Sequence, residues 1–326
     1  MVGAAPAPIG APRRARGYPV LVPDRDQMTA PDRLEVMHRT CAWYREHARD
    51  LPWRRPGTSP WAVVVSEIMA QQTPVSRVVD PWRAWMHRWP TPAALAADPP
   101  GAAVAAWGRL GYPRRALRLH EAAREMVERH GGEVPGDLAA LEALPGFGRY
   151  TAAAVFSFAF GGSTPVIDTN IRRVLTRVED ARQFPPASAT AAEWRRAQAW
   201  LDTAAGVPDP PPAALWAVAS MELGALVCTA RTPACGLCPL RDRCAWLAAG
   251  RPAHDGPPRR TQAWHGTDRQ CRGVLLDLVR TADAGGLAVD VTRLLVGWPE
   301  PDQARRCLDG LLADGLVHQG PDGVHL

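Results

Sequence analysis

The stretch LPGFGRYTAAAVFSFAFG, Leu144 to Gly161, decides how the rest of the chain is read. An amphipathic helical run ends at Leu144, Gly146 and Gly148 permit a tight turn, and an almost wholly apolar helix begins at about Arg149. Such a turn leaves the first amides of the second helix pointing outward, where a phosphate can accept from them. A plain helical hairpin with a glycine turn accounts for the same residues equally well.

Helical spacing recurs on both sides, at about 61–72, 76–88, 101–108, 114–130, 137–144, 169–180, 191–205 and 213–227. The first helix is expected near Asp32, with Asp32 as N-cap and Glu35 at N3, because Leu34, Met37, Cys41 and Tyr44 repeat behind them. Val63-Val64-Val65 is β-prone, but the apolar pattern runs on through Ile68 and Met69, so a buried helix is favoured. Strand alternation is otherwise nearly absent, and the body reads as all-α.

Residues 1–30, rich in Ala, Pro and Arg without periodicity, read as a flexible tail. Residues 250–267 turn polar and proline-rich and mark a linker. Residues 268–326 follow as a small module. One helical run holds Val274, Leu275, Leu278 and Val279, a second spans Val291 to Leu295, and a third holds Ala304, Leu308, Leu311 and Leu312. A GPDG turn between two short apolar stretches closes the chain as a hairpin, so the module reads as winged-helix-like.

Hydrophobic residues make up 46% of the 326 and charged residues 22%, a globular balance that excludes wholesale disorder. The net charge of +5 and a pI near 9.0 lean toward polyanions. All 38 basic side chains are arginine, so no lysine is available to form a Schiff base with a sugar aldehyde. No apolar run has signal-peptide or membrane-spanning length, and an intracellular protein without membrane contact is expected.

Four of the seven cysteines, Cys228, Cys235, Cys238 and Cys244, form a C-x6-C-x2-C-x5-C run. Thiolates this close can ligate one [4Fe–4S] cluster or one zinc ion. Zinc ribbons normally show two C-x2-C knuckles and this run has one, which favours the cluster. Cys41, Cys271 and Cys307 are scattered and read as core thiols.

Two carboxylates complete the chemistry. Glu67, in SEIMAQQT (Ser66–Thr73), lies within the apolar run Val63–Met69, where desolvation would keep it protonated near neutrality, as a general acid requires. From pattern alone a solvent-facing glutamate is the commoner case. Asp168, in PVIDTNIRRV, reads as the N-cap of the next helix, whose amides would keep it ionised. An anionic carboxylate facing a protonated one is the pair that cleaves glycosidic bonds through an oxocarbenium-like state.

Together these residues resemble the helix–hairpin–helix DNA glycosylase superfamily, most closely its adenine-specific MutY-type branch. The resemblance spans about 32–249 and rests on LPWR (Leu51–Arg54), SEIMAQQT, LGY (Leu110–Tyr112), LPGFGRYTA, VIDTN and the four cysteines, in family order. It implies a cluster lobe from 31–60 and 166–249, and a six-helix lobe with the hairpin from 61–165. It also implies a cytoplasmic, nucleoid-associated bacterial monomer acting on duplex DNA with adenine opposite 8-oxoguanine or guanine, the adenine being flipped out for excision.

By this resemblance Glu67 protonates adenine at N7 and later handles the attacking water, Asp168 stabilises or covalently traps the sugar cation, and Asn170 sits near that water. Tyr150 stands where lyase relatives carry a catalytic lysine, so a monofunctional enzyme is implied. Trp53, Arg54 and Glu222 line the adenine pocket. Gln72, Thr73, Leu110 and Tyr112 supply the wedge and opposite-base contacts. Gly146, Gly148 and Arg231 meet phosphate, and the [4Fe–4S] cluster shapes the loop that carries Arg231.

Three departures stand out. The site reads Asp168-Thr169-Asn170 where many relatives have D-G-N, Pro113 replaces a frequent second tyrosine, and residues 268–326 are too short and too helical for the Nudix-like domain many relatives carry. Rival readings are a pyrimidine-directed or endonuclease III-like enzyme, which the missing lysine and Glu67 oppose, and a non-catalytic DNA-binding protein, which would need neither carboxylate.

Overall fold

The computed structural model describes residues 28–205, 207–256 and 264–326. The expected tail lies outside these residues up to position 27, as does 257–263 of the expected linker. The first helix, α1 (Ala30–His47), starts earlier than its apolar pattern suggests. Thr29 is the N-cap and Asp32 is the N3 partner of a capping box, which corrects the assignment of Asp32 as N-cap. Pro31 explains the shift, since a missing N–H is harmless in the first turn.

After a 3-10 turn at Pro52–Arg54 come α2 (Pro60–Ala70), α3 (Val79–Arg88), α4 (Pro92–Ala97), α5 (Pro100–Trp107), α6 (Arg114–Arg129), α7 (Leu138–Ala143) and α8 (Arg149–Phe160). This region holds seven α-helices rather than six. The additional one, α4, is a six-residue PAALAA segment capped by Thr91 and bounded by prolines, too short to show a helical period.

The chain then returns through α9 (Thr169–Glu179), α10 (Ala191–Ala205), α11 (Ala213–Leu226) and the short α12 (Ala245–Ala248). The C-terminal segment contains α13 (Asp268–Asp283), α14 (Val291–Val296) and α15 (Pro301–Ala313). An antiparallel hairpin of β1 (His318–Gly320) and β2 (Gly323–His325) follows, with His318 opposite His325 and Val324 bridged to Val289.

Buried side chains form two clusters. One gathers α2 to α8 around Trp61, Trp85, Trp89 and Trp107 and continues into the C-terminal segment through Leu275, Leu308 and Leu311. The other joins α1, α9, α10 and α11 around Met37, Ile171, Trp200 and Leu223. Helix α8 stands between them, sending Ala152 and Val155 into the first cluster and Ala153 and Ala154 into the second. Its run of alanines lets helices pack on both faces, and each fully buried large apolar side chain contributes about 2–3 kcal/mol. Tyr150 is therefore set at the N-terminal turn of the helix dividing the two cores. Among the described residues no helix is long and apolar enough to cross a membrane.

Candidate active site

Helix α2 is capped by Ser59, opens with Pro60, and buries Trp61 to Ser66 together with Ile68 and Met69. Glu67 alone within this run keeps part of its surface open, and its carboxyl faces the second residue of α8. The Tyr150 hydroxyl donates to Glu67 Oε2 at 3.1 Å. Desolvation raises the Glu67 pKa to about 7, with Asp168 adding to the rise while the Tyr150 hydrogen bond and Arg54 oppose it. Glu67 is thus a partly desolvated acid rather than a solvent-facing helix residue.

Asp168 caps α9, its Oδ1 accepting from the Ile171 amide at 2.6 Å and its Oδ2 from Asn170 Nδ2 at 2.8 Å. Burial lifts its pKa above the ordinary value, so the cap does not fully offset desolvation. The Ile171 and Asn170 amides, the Asn170 side chain and Arg173 all pull it back down. Glu67 has only one phenol and the more distant Arg54, so the first negative charge of the pair falls on Asp168. Tyr150 interacts with both carboxyls, and burial followed by their charges holds it well above 10, as a neutral phenol.

Arg173 fixes this end of α9. It donates to Asn170 Oδ1 at 2.7 Å, to the Gly224 carbonyl at 2.6 Å and to the Cys228 carbonyl at 2.7 Å. Helix α11 comes close enough because residue 224 is glycine, where a Cβ would lie 2.7 Å from Asn170 Cβ. One turn on, Arg177 is 1% exposed and donates to Cys228 Sγ at 3.2 Å and to the Thr229 carbonyl at 2.8 Å, with its guanidinium 4.5 Å from the Trp246 ring. One face of α9 therefore runs from the catalytic candidates to the cysteine loop.

Glu222 on the apolar helix α11 is fully buried. Arg49 grips it at 2.6 Å and 2.7 Å through its guanidinium and at 3.1 Å through its backbone amide, and Arg54 adds a bond of 2.9 Å. What this corner presents outward is therefore arginine, above a carboxylate already saturated. Trp53 packs edge-on against Trp82 beside it. Arg49 was not among the candidates from sequence, although a glutamate inside an all-apolar helix signals that a buried cation partner must exist.

The residues matched to the wedge come from two loops. Gln72 (φ 52°) and Tyr112 (φ 50°) both occupy the left-handed region, a costly conformation for side chains larger than glycine. Thr73 donates to the Leu110 carbonyl at 3.2 Å and so ties the loops together. Arg115, also not anticipated, is their hub. It donates to the carbonyls of Ile68, Gln71 and Gly111 at 2.8, 2.5 and 2.8 Å and to Thr73 Oγ1 at 3.0 Å. Desolvation lowers its pKa to about 10, which still leaves it cationic at neutral pH.

On the hairpin, Gly146 has φ +78°, and a Cβ there would lie 2.8 Å from Arg118. Gly148 caps α8 without any side-chain acceptor, leaving its first amides to another partner. Arg231 is exposed on the loop between Cys228 and Cys235. A groove lined by Glu142, Arg149, Trp194 and Arg195 contains neither Glu67 nor Asp168.

The four cysteines converge on one another. Cys238 is raised to about 12 by burial and then by the charges of Cys228, Cys244 and Cys235. Thiols packed this way suit a cationic centre that would bind them as thiolates. Four mutually facing thiols on one loop can hold one [4Fe–4S] cluster.

A cysteine loop, a glycine hairpin and an acid–carboxylate pair on one helical scaffold define a helix–hairpin–helix DNA glycosylase. The HhH-GPD superfamily base excision DNA repair protein family matches residues 65–198, and the iron–sulfur binding domain of endonuclease III matches 228–244. Two adenine DNA glycosylases, from Mycobacterium tuberculosis and Mycolicibacterium smegmatis, are 51% and 49% identical, each over 86% of this chain and 90% and 92% of their own. The chain belongs to the adenine DNA glycosylase family and carries its [4Fe–4S] cofactor. The structure of a thermostable thymine-DNA glycosylase shares the fold, with a TM-score of 0.58 at 24% identity over 67% of this chain and 97% of its own.

Proposed function

We propose that the protein excises adenine mispaired with 8-oxoguanine or guanine in duplex DNA and leaves the abasic strand intact. The observation that carries this reading is the pair of neighbouring carboxyls beside Tyr150, Glu67 raised to about 7 by desolvation and Asp168 held by the Ile171 amide and the Asn170 side chain. The Glu67 carboxyl donates its proton to N7 of the flipped adenine, and the C1′–N9 bond breaks with its electron pair retained by the departing base. The Asp168 carboxylate lies against the sugar cation. Glu67, now ionised, takes a proton from the water that adds to C1′, with Asn170 orienting that water.

Tyr150 holds the Glu67 carboxyl in place, and Arg54 with Trp53 borders the base above the Glu222 anchor. Gln72, Thr73, Leu110 and Tyr112 fill the gap left in the stack. Phosphates rest on the Gly146–Gly148 turn and on Arg231. Cys228, Cys235, Cys238 and Cys244 would hold the cluster and, tied through it, would fix the loop that carries Arg231. The lobes 31–60 with 166–249 and 61–165, a monomeric state and a cytoplasmic location complete the proposal.

The test uses duplexes with A opposite 8-oxoguanine, A opposite G, and T opposite G, followed by alkaline cleavage of abasic sites. Product from the first two and none from the third is expected. Cleavage of the T·G duplex instead would favour the pyrimidine-directed alternative, and strand breaks before alkali would overturn monofunctionality.

A further inference from the structure

The loop from Gly108 to Arg114 carries a strained backbone. Gly108 and Gly111 have φ of 51° and 82°, Tyr112 is left-handed at 50°, and its ring is 39% exposed. Residues 264–326 embrace it from outside. Asp277 of α13 accepts from Arg109 at 2.7 Å, and Asp314, just past α15, accepts from Arg114 at 3.4 Å while also binding Arg272. The Arg269 guanidinium lies 4.7 Å from the Tyr112 ring. Behind these contacts Arg280 donates to the Val104 carbonyl on α5 at 3.0 Å, and Leu326 packs against Gly101.

The charge of this segment runs opposite to that of the body. It carries six arginines against nine Asp and Glu, a formal −3 in a chain of +5. A duplex backbone is repelled by such a balance, whereas two arginines flanking a wedge residue are attracted by it. We infer that the C-terminal module is an acidic brace for the Gly108–Arg114 loop, with Asp277 and Asp314 as positioning residues, and that it does not grip DNA phosphates itself. The inference rests on the glycosylase reading for what the loop does, but the bracing itself does not.

Both ion pairs are largely solvated on the arginine side, so the two together hold the loop closed by no more than about tenfold. The test compares full-length protein with D277N/D314N. Amides of residues 108–115 should exchange hydrogen about tenfold faster in the variant. Single-turnover excision opposite 8-oxoguanine should fall about five- to tenfold, with the melting temperature lowered by no more than a few degrees and non-specific duplex affinity held or slightly raised. Unchanged exchange, or faster exchange with unchanged excision, overturns the brace.

R109D should reproduce the defect and R109D/D277R should recover it, which protects against a trivial folding failure; no recovery overturns the inference. R293A/R305A/R306A, which removes exposed arginines of the module, should leave duplex affinity and its salt dependence unchanged, and a loss there would favour DNA gripping instead. Wild-type protein that excised no adenine would sink the functional reading alone, because hydrogen exchange in the free protein still reports the brace.

Discussion

Glu67 and Glu222 are the same side chain on two apolar helices, α2 and α11, and the fold drives them to opposite charge states. Burial pushes both upward. Around Glu222 the two guanidiniums and the Arg49 amide outweigh burial and hold its carboxyl below the ordinary range, whereas Glu67 has one phenol and rises to about 7. The number of donors each loop delivers sets the two apart. A buried carboxylate with cations is an anchor, and one without them stores a proton at neutral pH.

The largest break of this comparison is E67Q, which keeps shape and removes the transferable proton. Single-turnover excision should fall by about 10²–10⁴, the usual worth of general acid catalysis, while duplex affinity stays within about twofold. If excision survived within tenfold, Glu67 would not be the acid. Next comes R49A, which strips Glu222 of its bidentate partner. Leaving a buried carboxylate with Arg54 and the backbone amide of residue 49 should cost about 2–3 kcal/mol in urea unfolding, less than a fully buried pair because Arg49 is partly exposed. The double variant R49A/E222Q should regain part of that loss.

The two glutamates must also give stability of opposite pH dependence. Glu67 has a folded-state pKa above its unfolded value, so native protein loses stability as pH rises from about 4.5 through 7, by at most about 3 kcal/mol. E67Q should therefore be more stable than wild type at pH 8 and indistinguishable at pH 4.5. Glu222 is depressed, so its contribution is present above about pH 4.5 and fades on acidification. E222Q should be destabilised near neutrality, with the deficit shrinking toward acid. Parallel pH curves for the two variants would refute the contrast.

The elements that sequence made legible were those whose chemistry leaves a local trace. The hairpin is written in two glycines, Asp168 in a cap signature, the cluster in cysteine spacing, and Glu67 in being the single charge within an apolar run. The residues that escaped notice, Arg49, Arg115, Arg173 and Arg177, are all arginines whose partners are mostly backbone carbonyls or distant carboxylates. In a chain whose 38 basic residues are all arginine, nothing local separates a solvated guanidinium from a buried hub. Asp32 misled for a related reason. Its N3 role depends on Thr29, which lies just outside the apolar repeat used to place the helix.

The smallest effect sharpens the comparison most finely. In Y150F the Glu67 carboxyl loses the single hydrogen bond at 3.1 Å that favours its charged form. Its pKa should then rise further, by less than about one unit for a neutral donor, and the protonated fraction at pH 8 should grow accordingly. Excision requires that proton, so the alkaline limb of the pH–rate profile should move to higher pH, even as the maximal rate falls through looser positioning of the acid. A shift of the limb toward lower pH would mean that Tyr150 holds the proton on Glu67 rather than drawing it off. The one-donor account of this site would then have to be abandoned.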